Sequence, residues 1–444
     1  MEHLESGQFH GFKSTMELRR SRHRRYSCGF SLGDCSQSDD CPSIPEHPVN
    51  ASWFIRNGLG QLNPIPAAVW NRYPHNIMKE LDFIKAVANS PTSKWYSVVD
   101  GPYKVASFIP NQQWVFEPNS RYGGRAPQIS KLVFQYDTSF ASEFTELKTK
   151  AVTVGYVPLS LWNSRHLLSG YHVTPAYLWG MTYLQLNFND NALHHINQLF
   201  DQLYVRQALA LGINQPAMIR SIFHEQGIEG NGPVPSAPTT PFYDRALNQL
   251  TYPYSPARGK ALLERHGWRL HNGVMTRSGI SLAFSINYAT GSQTADDMMQ
   301  FLKSSWAQEG IPVTLVPTSD ASFPLPNNKW DAIFSGLTSW VYSPDFYPTG
   351  GCLFKTGSAL NFWGHSNHKM NQLVDSTYVP YASKSQEFSR LDAYQKFASQ
   401  HLPLLFMPYA ASFFVSSKNL RGYRATMNVI SGLLTPNYWS VQRK

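Results

Sequence analysis

Tyr183-Leu-Gln-Leu-Asn-Phe-Asn189 and, past a loop of Asn and His, Val205-Arg-Gln-Ala-Leu209 form the stretch on which the fold turns. The first run alternates apolar and polar side chains with a period of two, the pattern of a strand. The second lies in a helix expected over Asp201 to Ala210, with Val205, Ala208 and Leu209 on one side. A strand feeding directly into a helix is the first sign of an α/β chain.

Downstream the alternation continues. Pro216 at an N1-like position opens a helix over Gln215 to Phe223, and a Pro-rich loop runs from Gly230 to Phe242. Ser255-Pro-Ala257 starts a helix, with Ser255 as N-cap and Gly267 as terminator. A strand over 281–289, a helix over 294–309 stopped at Gly310 and a strand over 312–316 make a βαβ-like unit. A strand over Trp330 to Gly336 follows, then helices over His368 to Val374 and Phe388 to His401. Pro403 to Val415 reads as two strands.

Upstream, Ser52-Trp-Phe-Ile55 reads as a short strand, 63–70 as a loop entering a helix, and Lys79 to Asn89 as a helix. Asp100-Gly-Pro102 is a turn before the alternating run Tyr103 to Ile109. Trp114 to Gly124 reads as a strand ending in a Gly turn, further strands are expected at 131–136 and 152–157, and a helix at Phe140 to Lys150. No internal repeat is visible. The whole pattern is α/β or α+β.

With 444 residues the chain is long enough for two or three domains at about 150 residues each. Its 42% apolar content excludes wholesale disorder. Charged residues reach only 15%, and aromatics, at 14%, fill the gap; rings in such number need large cores or a ligand cleft. The net charge of +9 comes from scarce Asp and Glu rather than abundant Lys and Arg, so a nucleic-acid partner is not expected. The one dense basic run is Arg19, Arg20, Arg22, Arg24 and Arg25. Cys28, Cys35, Cys41 and Cys352 form no CxxC pair, which argues against a zinc site. No segment has the 18 or so apolar residues of a transmembrane helix, and no apolar core of a signal peptide follows the N-terminal basic residues. Residues 1–44 lack periodicity and are rich in Ser and Arg; a disordered tail and a foreign segment both fit.

Six segments in fixed order resemble the family 5 extracellular solute-binding proteins, the oligopeptide- and dipeptide-binding components of ABC importers. They are Asp100-Gly-Pro-Tyr-Lys-Val105, Asn119-Ser-Arg-Tyr-Gly-Gly124, the strand–helix pair at 183–209, Tyr254 to Leu263 with Gly267-Trp268, Gly336 to Pro348, and Leu402 to Tyr423. The resemblance covers roughly Pro45 to the C-terminus. It implies a two-lobed periplasmic-binding-protein-like fold (type II, cluster C-like) with a partial extra domain. The domains expected on it are a non-homologous segment at 1–44, the remnant of the extra domain and the start of lobe I at 45–135, lobe I at 136–210, lobe II at 211–405, and a return to lobe I at 406–444. Crossings between lobes are expected near 210–214 and 403–409. The resemblance starts in the middle of the family's extra domain, so a truncated or mis-started reading frame is expected.

The resemblance also implies a function: capture of an oligopeptide or similar solute between two lobes and delivery to ABC permease subunits, outside the cell membrane or in the periplasm. No cofactor and no covalent chemistry are implied. The rivals are a transcription regulator with a solute-binding-like sensor and a non-functional truncated binding protein. The 336–348 loop is the candidate ligand contact, with Thr338, Ser339, Trp340, Tyr342 and Asp345, and Asn361 beyond it. Trp340 stands where peptide-binding members carry an aspartate for the ligand's α-amino group; it can stack or make a cation–π contact but not an ion pair. Asp345 either supplies that charge or is a turn residue, and Trp340 and Tyr342 either line the cleft or pack in the core. His194-His195 and His365 with His368 fit surface histidines better than metal ligands. The motifs GxSxG, Walker A and HExxH are absent, and His224-Glu225 lacks the second His of a zincin.

Overall fold

A computed structural model describes residues 48–442 except 59–66, 89, 91, 138, 320–328, 338, 343–346 and 427–433. The 1–44 segment, three of the four cysteines, Thr338 and Asp345 lie outside the described residues. The chain forms two compact units, one from 62–176 with 412–444, the other from the stretch up to 61 with 177–411. The segment 177–210 falls in the second unit.

The first unit holds two antiparallel sheets of three strands each. In one, Tyr103–Ile109, Gln113–Pro118 and Leu132–Gln135 run as a meander. Rings bind it across strands: Phe108 lies 4.1 Å from Trp114, and Phe116 packs edge-on against Phe134 at 5.5 Å. In the other, Ser412–Ser417 pairs with both Val154–Val157 and Tyr171–Ala176, and Trp162 stacks on Phe413 at 4.2 Å. Helix Phe140–Thr149 starts on a capping box of Ser139 and Ser142 and ends at Lys150, whose φ is +63°.

The second unit is built on a six-stranded sheet. Phe284–Ala289 runs parallel to Val313–Thr318 on one side and Ala332–Phe334 on the other, with helix Gln293–Ala307 as the crossover, so the expected βαβ unit forms. Gly180–Leu186 is antiparallel to Ala332–Phe334, Trp340–Val341 and Leu405–Met407. All seven of its residues are buried, the polar Thr182 and Gln185 included, so the alternation of the run does not mark a solvent-facing side. Helix Leu203–Leu211 buries Val205, Ala208 and Leu209, as their spacing predicts. The buried Trp306 indole donates to Leu209 O at 2.8 Å, and Ser305 Oγ donates to Gly212 O at 2.7 Å, tying the crossover helix to that helix's end.

Three local expectations change. Ser52–Ile55 is not a strand: Asn50 accepts from the Ser52 and Trp53 amides, starting a helix at Ala51–Trp53 that continues as a π-helical turn over Phe54–Gly58. Asn50 Nδ2 donates to Thr377 O, and Asn57 exchanges two bonds with the Tyr347 backbone, which clips the segment onto the second unit. Pro403 to Val415 contains not two strands but Leu405–Met407, Tyr409–Ala410 and the start of Ser412–Ser417, interrupted at Pro408 and Ala411. Ser255 precedes its helix, but its hydroxyl makes no cap bond; Pro256 at the first helical position needs none for its missing N–H.

Candidate functional site

The 336–348 loop begins as an interruption in one edge of the central strand Gly180–Leu186. Ala332–Phe334 pairs with Leu186, Gln185 and Leu184; pairing resumes at Trp340 opposite Met181 and Val341 opposite Gly180. Five residues, 335–339, therefore stand against only two, Thr182 and Tyr183. Such an excursion leaves ladder groups unpaired, and side chains replace them. The Tyr183 amide donates to Ser339 Oγ at 3.3 Å, Ser339 Oγ lies 2.9 Å from Gly336 O, the Tyr183 hydroxyl reaches Ser339 O at 3.3 Å, and the Thr182 hydroxyl donates to Leu337 O. Gly336 takes φ +112°, a left-handed conformation that favours glycine. Where pairing resumes the backbones are tight: a Cβ on Gly180 would stand 2.2 Å from Trp340 O.

Trp340 is half-buried beside this point, with its ring edge-on to Tyr342 at 6.0 Å. Tyr342 is only 3% exposed: its amide donates to Trp179 O at 2.8 Å, its hydroxyl to Pro233 O at 2.6 Å, and its ring lies 5.1 Å from Trp179. Burial pushes its hydroxyl far above the ordinary tyrosine range. Trp179 stacks in turn on Phe242. Asn361 stands apart from this group in the sequence-distant turn 355–365; it is 6% exposed, and its amide donates to His365 O at 2.7 Å and Lys355 O at 3.2 Å. Of the six candidates, Ser339, Trp340 and Tyr342 form one neighbourhood, Asn361 closes a separate turn, and Thr338 and Asp345 lie outside the described residues.

Residues not singled out in the sequence complete the neighbourhood. Gln215 and Gly230 exchange two amide bonds of 2.8 Å each, Gln215 Nε2 to Gly230 O and Gly230 N to Gln215 Oε1, so a side chain mimics a strand partner. A Cβ on Gly230 would lie 2.2 Å from Met407 O. Between these strands is a crevice of about 10 Å³ lined by Thr182, Glu229, Asn231, Ser236, Tyr243 and Tyr409 among others. Sequence gave only the Pro- and Gly-rich texture of 230–242 as a signal for it. Among the described residues no group of three or more His, Cys, Asp or Glu is placed to hold a metal ion, and no helix is long and apolar enough to cross a membrane.

A profile of the bacterial extracellular solute-binding proteins, family 5, middle region, matches residues 51–355. The chain belongs to this family. It is 20% identical over 382 residues to the oligopeptide-binding protein AppA of Bacillus subtilis, covering 84% of this chain and 66% of that one. To the nickel-binding periplasmic protein of Escherichia coli K12 it is 24% identical over 229 residues, 50% of this chain and 42% of that one. The family 5 chain thus spans from under half to about two thirds of these curated relatives. The solved structure of B. subtilis AppA with a nonapeptide matches with a TM-score of 0.67 at 16% identity, over 85% of this chain and 72% of that one. The fold is accordingly the α/β, two-lobed architecture of family 5 binding proteins.

Replacing Ser339 by Ala removes the oxygen that receives the Tyr183 amide and leaves that donor buried. The S339A protein is expected to lose about 1–2 kcal/mol of stability without any ligand present, read as a lower urea midpoint at unchanged slope. An unchanged midpoint would mean that the excursion holds without this bond.

Proposed function

We propose that this protein is the solute-binding component of an ABC importer, that it captures oligopeptides or similar solutes, and that it hands them to permease subunits at the outer face of the cell membrane or in the periplasm. It performs no covalent chemistry and needs no cofactor. The observation that carries this reading is the family profile over 51–355, which includes the central strand Gly180–Leu186, the helix Leu203–Leu211 and the 336–348 loop. Support comes from the names of the relatives, which include peptide-binding proteins and a nickel-binding one.

Within the excursion, Trp340 offers its half-exposed ring to the solute, and Ser339 and Tyr342 hold the loop in place. Tyr342 is too buried, and its hydroxyl too committed, to be the first contact. Asn361 shapes the neighbouring turn. A solute held largely through its backbone can vary its side chains, which suits a loop that presents a ring rather than a fixed charge.

A thermal-shift screen against peptide pools, sugars and nickel with histidine tests the proposal. A ligand bound only by the folded state raises the melting temperature in proportion to the logarithm of its concentration, about 2.7 kcal/mol at one hundred times Kd. Peptide pools are expected to give the rise. A rise with sugars or nickel alone would redirect the substrate class, and none with any peptide on a folded sample would overturn the peptide reading.

A further inference from the structure

Among the polar groups lining the crevice beside the central strand, nearly all are committed. The Thr182 hydroxyl is bonded to Leu337 O. Asn231 donates to Leu247 O and Gln249 O and accepts from the Thr251 amide and Ser399 Oγ. The Tyr409 hydroxyl accepts from the Ala237 amide at 3.1 Å and lies 3.3 Å from Ala237 O. Glu229 and Tyr243 are the exceptions: among the described residues no ion pair or hydrogen bond reaches the Glu229 carboxylate, and none reaches the Tyr243 hydroxyl. Glu229 is half-buried, directly after the short strand Gly227–Ile228 that pairs with Tyr409–Ala410.

An anion partly withdrawn from water and given no partner is costly, and burial alone moves this carboxyl above its usual range. A chain with only 29 acidic residues against 38 basic ones has spent one of them here unpaired. The surroundings say what would pair with it. The crevice has about 10 Å³ of free volume, room for one water-sized group, which is also the size of a primary ammonium head. Tyr243, Tyr409 and Phe406 are among the residues that line it, and aromatic rings attract cations. A carboxylate in a crevice that aromatic residues help to line matches a cation carrying N–H donors, not an anion or a neutral sugar.

We propose that Glu229, with the rings of Tyr243 and Tyr409, is the receptor for a primary ammonium group of the bound solute. The assignment rests on the solute-binding reading above for its ligand and on the crevice for its chemistry, and the two are tested separately. The crevice is tested with methylammonium chloride against sodium, potassium and tetramethylammonium chlorides at equal ionic strength, reading the melting temperature of the full chain. Methylammonium is expected to raise it in the wild type and not in E229Q, a variant of the same shape whose fold is checked by circular dichroism. Equal responses in both proteins, or potassium acting as well as methylammonium, would overturn the ammonium assignment.

The solute is tested with tetra-alanine and its N-acetylated form, measured calorimetrically. The free amine is expected to bind the wild type roughly tenfold or more tighter than E229Q, and acetylation to abolish that difference. If both peptides bind alike and E229Q is indifferent, Glu229 is not the receptor while peptide binding stands. If methylammonium acts through Glu229 but neither peptide binds, the receptor stands and the peptide reading is weakened instead.

Discussion

The Glu309→Gln protein is expected to melt higher than the wild type at pH 8 and at nearly the same temperature at pH 4.5. Glu309 ends the crossover-helix segment, is fully buried, and neither of its carboxyl oxygens has a partner. The carboxyl fits between two backbones that come close because both positions are glycine. A Cβ on Gly259 would meet Oε2 at 2.2 Å, and one on Gly212 would meet Oε1 at 2.4 Å. Gly259 lies inside helix Pro256–Arg265, where glycine ordinarily costs about 0.5–1 kcal/mol; here it makes the space.

Burial raises the Glu309 carboxyl from 4.5 to about 9. It is therefore neutral in the folded protein at neutral pH and ionised in the unfolded chain. Between those values the folded state binds more protons than the unfolded one, so stability falls as pH rises through the window. Each pH unit costs about 1.4 kcal/mol, so roughly 5 kcal/mol is lost by pH 8. Gln keeps the shape and removes the ionisation, which is worth roughly 10 °C at that pH. His365 acts in the opposite sense. Burial first, then the charges of Arg206 and His401, lower its imidazole from 6.5 to about 3, so its stability contribution is complete above 6.5 and lost as pH falls toward 3. The two together place the stability plateau between about pH 4.5 and 6.5. A Glu309→Gln gain that is independent of pH would refute the ionisation account.

Replacing Arg206 by Ala is expected to cost about 4 kcal/mol, the largest loss among single truncations considered. Its guanidinium is buried and serves two helix ends at once. Nε and Nη2 donate to His401 O, the last residue of helix Lys384–His401, at 3.1 and 2.9 Å; Nη1 donates to Phe200 O at 2.5 Å and Asp201 O at 3.1 Å, at the end of Ile196–Phe200. These carbonyls have no intrahelical partner, and a cation at a helix C-terminus is favoured by the peptide dipoles. Its face also lies over the Phe188 ring at 5.5 Å. Burial lowers the group only to about 10, so it stays charged at neutral pH. Lys cannot span both helix ends with one ammonium and should recover less than half the loss. Urea unfolding followed by tryptophan fluorescence measures both; an Arg206→Lys midpoint equal to wild type would show that charge alone suffices.

Arg206 also shows how much of the fold is legible in the chain. The 183–189 and 205–209 pattern locates a buried strand and an amphipathic helix, and the burial of Val205, Ala208 and Leu209 follows from period alone. That Arg206, between them, faces inward could not be read from spacing, because two of its four bonds go to His401 O, 195 residues away. The 52–55 segment failed for a related reason: four apolar-rich residues fit a strand or a helix, and the deciding group is Asn50, capping from outside the window. Among the candidate contacts, the sequence marks Ser339, Trp340 and Tyr342 as one loop, whereas Trp340 opens the short strand Trp340–Val341. Tyr342's commitment to Pro233 O and Trp179 O was not legible, since both partners are far upstream.

By itself the sequence determined the α/β class, the order of elements and the family, because these depend on local periodicity and on motifs that keep their order along the chain. Only the tertiary structure decided which polar groups are paired. Glu309, Glu229 and Arg206 are all charged residues on paper. One is neutral between two glycines, one waits unpaired in a crevice, and one holds two helices together. The difference is set by what distant parts of the chain bring within 3 Å, and burial there decides the charge state as well as the contact.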